Sequence, residues 1–249
     1  MLDVHPPHEA AHTWKDFFIH IATICVGLLI AIGLEQTVEA IHQHRERHEL
    51  MEQLNAENQQ ILKYAEHAAE REELTINWYA ARLDAMQAVL TQQQPYRPPV
   101  RPVLAGANSP GDPVWRAAKA SGRTSILSEQ SVIANSEIEE LLIEREAAGA
   151  SAEQIATGPL TLACARLPLQ PGTLQSDYAH ADKHELQDSL VTLMTFYQAR
   201  RTLYARSAYV IGAEKAILAG ETDIDSISRR EAEELGVRFS KLQPAPIPQ

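Results

Sequence analysis

The stretch FFIHIATICVGLLIAIGL, Phe17 to Leu34, decides the architecture. It holds no Asp, Glu, Lys or Arg, and only His20 and Thr23 interrupt its apolar run. Its eighteen residues at helical rise span ~27 Å, enough for a thin hydrocarbon core. Trp14 sits one turn before it, where interface aromatics belong. Lys15 and Asp16 mark the near boundary, and Glu35 and Glu39 the far one. A buried core helix rarely runs this long with no polar face. A cleaved signal peptide needs a small-x-small site, and Glu35-Gln36-Thr37-Val38-Glu39-Ala40 offers none. The stretch predicts an uncleaved single-pass anchor over residues 14–34 behind an N-terminal tail, 1–13.

Outside it the 249-residue chain has a globular balance, 45% hydrophobic and 22% charged. Mean hydropathy is −0.25, a value that hides the anchor. Net charge is −11, so no nucleic-acid partner is expected. Two Cys exclude a disulfide-stapled scaffold. The charge is uneven. Residues 35–93 carry five basic and eleven acidic groups, 94–127 five and one, and 128–170 two and seven. A basic island therefore separates acidic segments.

No Pro lies between Pro7 and Pro95, and the only Gly in that interval are Gly27 and Gly33. Beyond the anchor, apolar residues keep a three-four rhythm through Leu54, Ile61, Ala65, Ala68, Ile76, Tyr79, Leu83, Met86 and Leu90. This predicts one helix from about Thr13 to Gln93, a stalk continuous with the anchor. Arg45, His48, Asn58 and Glu72 sit at seam-like positions. They argue against a long two-stranded coiled coil and for packing on other helices of the same chain. Residues 94–112 form a Pro-rich linker.

Asp112-Pro113 then opens a short helix, with Asp112 as N-cap and Gly122 past its end. A further helix is expected from Ser128 to about Ala148, stopped by Gly149. Another begins at the capping box Ser151–Gln154 and is broken at Pro159. The second long helix is expected from about Thr173 to Ala219, with a stripe of Leu186, Leu190, Leu193, Tyr197, Tyr204, Ile211 and Leu218. A short helix follows, and 241–249 read as a disordered tail. The fold class expected is all-α. An N-terminal transmembrane helix continues into the stalk, which packs with a second long helix and shorter ones in an elongated bundle, the helical domain 35–240.

Several local patterns carry potential chemistry. His8-Glu9-Ala10-Ala11-His12 matches H-E-x-x-H, the zinc-protease motif. It stands too close to the chain start and the anchor to build a catalytic cleft, and a polar interfacial turn is the expected reading. His42, His44 and His48 follow the anchor, and Asp177, His180 and His184 share a face of the second long helix. These are weak metal candidates, because a metal site needs further carboxylates in an apolar shell. Arg97 and Arg101 lie in P-x-x-P segments. Arg116, Lys119 and Arg123, three and four apart beside Trp115, form a face for phosphate or an acidic partner. The competing expectation is that this face neutralises the chain's own acidic helices with Trp115 buried. Cys164 lies in apolar ACARL, the setting of an inert thiol. No hydrolase elbow, phosphate loop or dinucleotide fingerprint is present, and no cofactor or enzymatic activity is expected.

The segments WKDFFIH, GLLIAIGLEQTVEAIH and VWRAAKASG resemble a group of uncharacterised bacterial single-pass membrane proteins. These have a short N-terminal transmembrane helix continued by an all-helical domain. The resemblance implies the bacterial inner membrane and the same layout, with no catalytic residues to carry over. Flanking charge leans by one residue toward a cytoplasmic helical domain, while a short tail before a long domain fits export, so the side stays open. The function expected is a membrane-anchored scaffold or partner-binding protein without catalytic activity. Its partners would be the lipid bilayer and either a second copy or another protein. The alternative is a membrane-tethered sensor taking a metal or small ligand on the His/Asp helix faces.

Overall fold

The computed structural model describes residues 14–92, 95–97, 99–100, 111–166, 183–221, 224, 226–230 and 233–234. The described residues are helical or irregular, with no strand among them. The five main helices are α1 (Trp14–Gln92), α2 (Pro113–Ala120), α3 (Glu129–Thr157), α4 (Pro159–Arg166) and α5 (Lys183–Leu218). A 3-10 turn at Arg123–Ile126 links α2 to α3. The chain divides into two compact units, Met1–Glu52 and Gln53–Gln249.

Within the second unit the expected all-α bundle is present. The α1 stripe buries Ile61, Ala65, Ile76, Leu83, Met86 and Val89. Ile138 and Leu142 of α3, Leu160 of α4 and Leu193, Phe196 and Tyr197 of α5 join the same core. Tyr79 and Phe196 meet edge to face, with ring centroids 4.8 Å apart. Polar seam residues find partners in this chain. Asn58 is buried and donates from Nδ2 to Asn135 Oδ1 at 3.5 Å. Glu72 accepts from Arg200 Nη1 at 3.1 Å. Such pairs fix which helix faces which, because a half-paired buried polar group costs more than an apolar one.

Helix ends follow local chemistry in most places. Ser128 caps α3, its Oγ accepting from Ser131 N at 3.2 Å. Gly122 and Gly220 adopt φ of +72° and +73° after α2 and α5. Glu221 N donates to Ala216 O and Gly220 N to Ile217 O, both at 2.9 Å, a Schellman stop that needs the left-handed glycine.

Two expectations are corrected. Gly149 does not end a helix, and Ser151 does not start one: α3 runs through both to Thr157. An interior glycine costs about 1 kcal/mol of propensity. Burial of Leu142 before it and Ala152 after it outweighs that cost. The break falls instead at Gly158, with Pro159 as the first residue of α4. Asp112 occupies the N-cap position of α2, but its side chain makes no capping hydrogen bond. The linker is held to α1 where it is described: Tyr96 is buried, and Trp78 Nε1 donates to Pro99 O at 3.3 Å. The expected start of the second long helix near Thr173, the short helix end beyond 234 and the tail 241–249 lie outside the described residues.

Candidate functional site

Three places could carry function: the apolar segment, the histidines that follow it, and the α2 helix with its carboxylate partners.

In the first unit, α1 holds one segment long and apolar enough to cross a membrane, with a mean hydropathy of 2.5 over its best window. None of that window is buried. Leu29 is 69% exposed and Phe18 60%. The two hydroxyls near it are satisfied by the helix itself, Thr23 Oγ1 donating to Ile19 O at 2.8 Å and Thr37 Oγ1 to Gly33 O at 2.7 Å. Trp14, Phe17 and Phe18 cluster at its start, with ring centroids 5.9 to 6.0 Å apart.

The histidines past the segment are exposed and turned to carboxylates along their own helix. His42 lies 3.2 Å from Glu46, and His48 lies 3.6 Å from Glu52. His44 is exposed. His184 stands exposed near the start of α5, while Asp177 and His180 lie outside the described residues. Among the described residues no three His, Cys, Asp or Glu side chains converge in a metal-binding geometry. The His8–His12 motif lies outside the described residues, as does the Cys164 side chain.

Helix α2 buries Trp115 and Ala118 against the bundle, while Arg116 and Lys119 stay exposed. Trp115 is 2% exposed, and its Nε1 donates to Glu139 Oε2 at 3.0 Å. Lys119 Nζ donates to both oxygens of the same carboxylate. Those donors, Lys119 first, hold Glu139 below the usual carboxylate range. Arg116 Nε lies 2.7 Å from Asp112 Oδ1, a charge contact without hydrogen-bond alignment. Arg116 and Lys119 thus each face a carboxylate of this chain. Arg123 is half-buried in the 3-10 turn, Arg97 is exposed on the linker, and Arg101 lies outside the described residues.

The cap of α2 comes from α1. Glu57 accepts the backbone N–H of Val114 at 2.7 Å through Oε1 and that of Trp115 at 3.1 Å through Oε2. Pro113 has no N–H, so Glu57 meets the first two donors the helix presents, at its positive end. Burial raises the Glu57 pKa, the two backbone N–H groups oppose the rise, and Asp112 adds to it.

Glu214 of α5 has no solvent exposure, and neither carboxyl oxygen has a hydrogen-bond partner. Burial, and after it the Glu57 carboxylate, push its pKa up to about 8. It is therefore neutral at pH 7. A second polar knot joins α1, α3 and α5. Burial raises the Glu72 pKa against the pull of Arg200, Arg145 and Arg71, and Arg145 Nε donates to Ser207 Oγ at 2.9 Å.

Sequence reasoning missed Glu57, Glu139 and Glu214 as structural partners. One signal was available for Glu214: it falls three residues after Ile211 and four before Leu218, inside the apolar stripe. Comparison of the chain with protein-family models, curated proteins and solved structures finds no match.

Proposed function

We propose that the chain is a membrane-anchored helical scaffold that crosses the bilayer once and binds a protein partner or a second copy of itself, without catalytic activity. The observation that carries the reading is the unburied apolar segment at Phe17–Leu34. So large an apolar surface is stable in water only if something covers it. Lipid fits best, because the residues are apolar on every side and the nearby hydroxyls are internally bonded. The likeness to bacterial single-pass proteins supports the same placement. A helix α1 that carries both the apolar segment and part of the bundle core supports a binding role.

The test is alkaline carbonate extraction of membranes bearing the full chain, with mass spectrometry of its N-terminus, followed by in-membrane cross-linking. Retention in the pellet with Phe17–Leu34 intact, together with a cross-linked species, is the expected result. Release into the wash or cleavage after the apolar run overturns the anchor. A monomer without cross-linked partners overturns the scaffold.

A further inference from the structure

Leu34, Val38 and Ile41 carry an apolar face past the end of the membrane-length run, and each is more than half exposed. They belong to the first unit, Met1–Glu52. At 3.6 residues per turn they share an arc of ~120° with His44, Arg45 and His48. Glu35, Gln36, Glu39, Gln43, Glu46 and Arg47 fall outside that arc. Leu34, Ile41 and His48 repeat every seven residues, with Val38 and Arg45 between them, the spacing of a two-helix seam. The apolar part of this seam is short, so apolar packing alone gives it little hold, and its next positions bring imidazoles instead.

His44 and His48 are both exposed and four residues apart, so their rings lie one above the other on the helix. Two helical histidines at this spacing are a zinc-binding pattern. His48 Nδ1 lies 3.6 Å from Glu52 Oε1, which leaves Nε2 for a metal, and a carboxylate behind a ligating imidazole orients the ring. Arg45 shares the arc and opposes a cation, while Glu52, beside His48, acts the other way. His42 falls outside the arc, with its Nε2 3.2 Å from Glu46. A closed zinc site has four side-chain ligands in a tetrahedron. One chain supplies two here, and among the described residues no group of three His, Cys, Asp or Glu converges. The pair is therefore half of a closed shell.

We propose that His44 and His48 of two copies of the chain together hold one Zn²⁺, with Leu34, Val38 and Ile41 of each copy packed on their counterparts. This rests on the reading that the chain is membrane-anchored and meets a second copy. Copies inserted the same way in one bilayer run parallel, so each seam residue meets its own counterpart and the two histidine pairs stand at the same height. A different protein would need matching histidines of its own, whereas a second copy carries them by identity. Neutral imidazole suits zinc, while Mg²⁺ prefers oxygen ligands.

The test is sedimentation velocity of the full chain in detergent micelles, in Zn²⁺, in Mg²⁺ and in EDTA, with zinc content measured after dialysis. His8→Ala and His180→Ala are included throughout, to remove the other histidine pairs spaced by four. Zinc is expected to convert monomer to dimer with half-saturation at or below about 10 µM free ion and one zinc bound per two chains. Mg²⁺ should leave the mass unchanged, and EDTA should reverse the zinc effect. His44→Ala and His48→Ala, at exposed helical positions, should each weaken zinc at least ~10-fold, and His42→Ala should leave it unchanged. A chain that stays monomeric in zinc, or a zinc dimer that survives the His44→Ala/His48→Ala double variant, overturns the proposal. A dimer equally abundant in EDTA overturns the zinc bridge but leaves the scaffold standing, and cross-linking in membranes judges the scaffold separately.

Discussion

Glu57 of α1 accepts the backbone N–H of Trp115 at 3.1 Å, and with its other oxygen that of Val114 at 2.7 Å. A carboxylate 58 residues earlier in the chain thus does what Asp112, in the N-cap position itself, does not. The consequence is tertiary: α2 is tied by its first turn to α1, and by Trp115 and Lys119 to Glu139 of α3.

Removing that cap is expected to cost stability without changing helix content elsewhere. Glu57→Ala loses two charge-assisted bonds at a helix N-terminus, worth about 1–2 kcal/mol together. Thermal unfolding of the full chain in detergent should show a melting temperature lower by roughly 2–8 °C. Asp112→Asn, at a side chain that makes no capping bond, should move it less.

Trp115 separates packing from hydrogen bonding. Trp115→Ala empties a fully buried indole site and is expected to cost about 3 kcal/mol or more. Trp115→Phe keeps most of the volume and loses only the Nε1 bond to Glu139, at a cost of about 1.5 kcal/mol. Denaturant titrations of both variants give the difference directly.

The buried Glu214 makes stability depend on pH. Its carboxyl holds a proton in the folded chain up to about 8, whereas in the unfolded chain it releases it near 4.5. Between those values the folded state binds the extra proton, so stability from this group is full below about 4.5 and falls as pH rises to about 8. Above that the loss is constant, on the order of 5 kcal/mol. The raised Glu57 pKa acts in the same direction, and the lowered Glu139 pKa acts oppositely, at acid pH. Glu214→Gln should flatten the decline between pH 5 and 8 and raise the melting temperature at pH 8. An unchanged slope in this variant would exclude Glu214 as its source.

The Glu72–Arg200 pair should behave as a buried unit. Arg200→Met leaves a largely buried carboxylate short of one partner and is expected to cost on the order of 2 kcal/mol. Adding Glu72→Gln to it should recover most of that loss. A double-mutant cycle on chemical unfolding reads the coupling, and simple additivity would show that the pair contributes nothing.

The apolar segment yields a prediction about location. Leu29→Arg places a charge inside the run, where insertion is disfavoured by up to about 3 kcal/mol. The fraction resisting carbonate extraction should fall, while Val38→Arg, beyond the run, should change it little.

The helices were legible from patterns that need no knowledge of neighbours. Absence of Pro and Gly between 34 and 94 leaves helix as the way to satisfy the backbone, and the three-four rhythm marks the face that Ile61, Ile76 and Leu83 bury. Gly122 announced its stop because only glycine takes positive φ without penalty. Gly149 misled because its local preference is worth about 1 kcal/mol and long-range burial on both sides exceeds that.

What the sequence by itself determined is therefore the all-α class, the run at Phe17–Leu34 long and apolar enough to cross a membrane, and most helix ends. These depend on residues adjacent along the chain. The tertiary structure decided which charges are spent. Glu57 caps a helix from afar, Glu139 gathers Trp115 and Lys119, and Glu214 stays neutral in the core. A carboxylate's state depends on the dielectric and donors around it. Those are supplied by helices distant in sequence, so no local pattern records them.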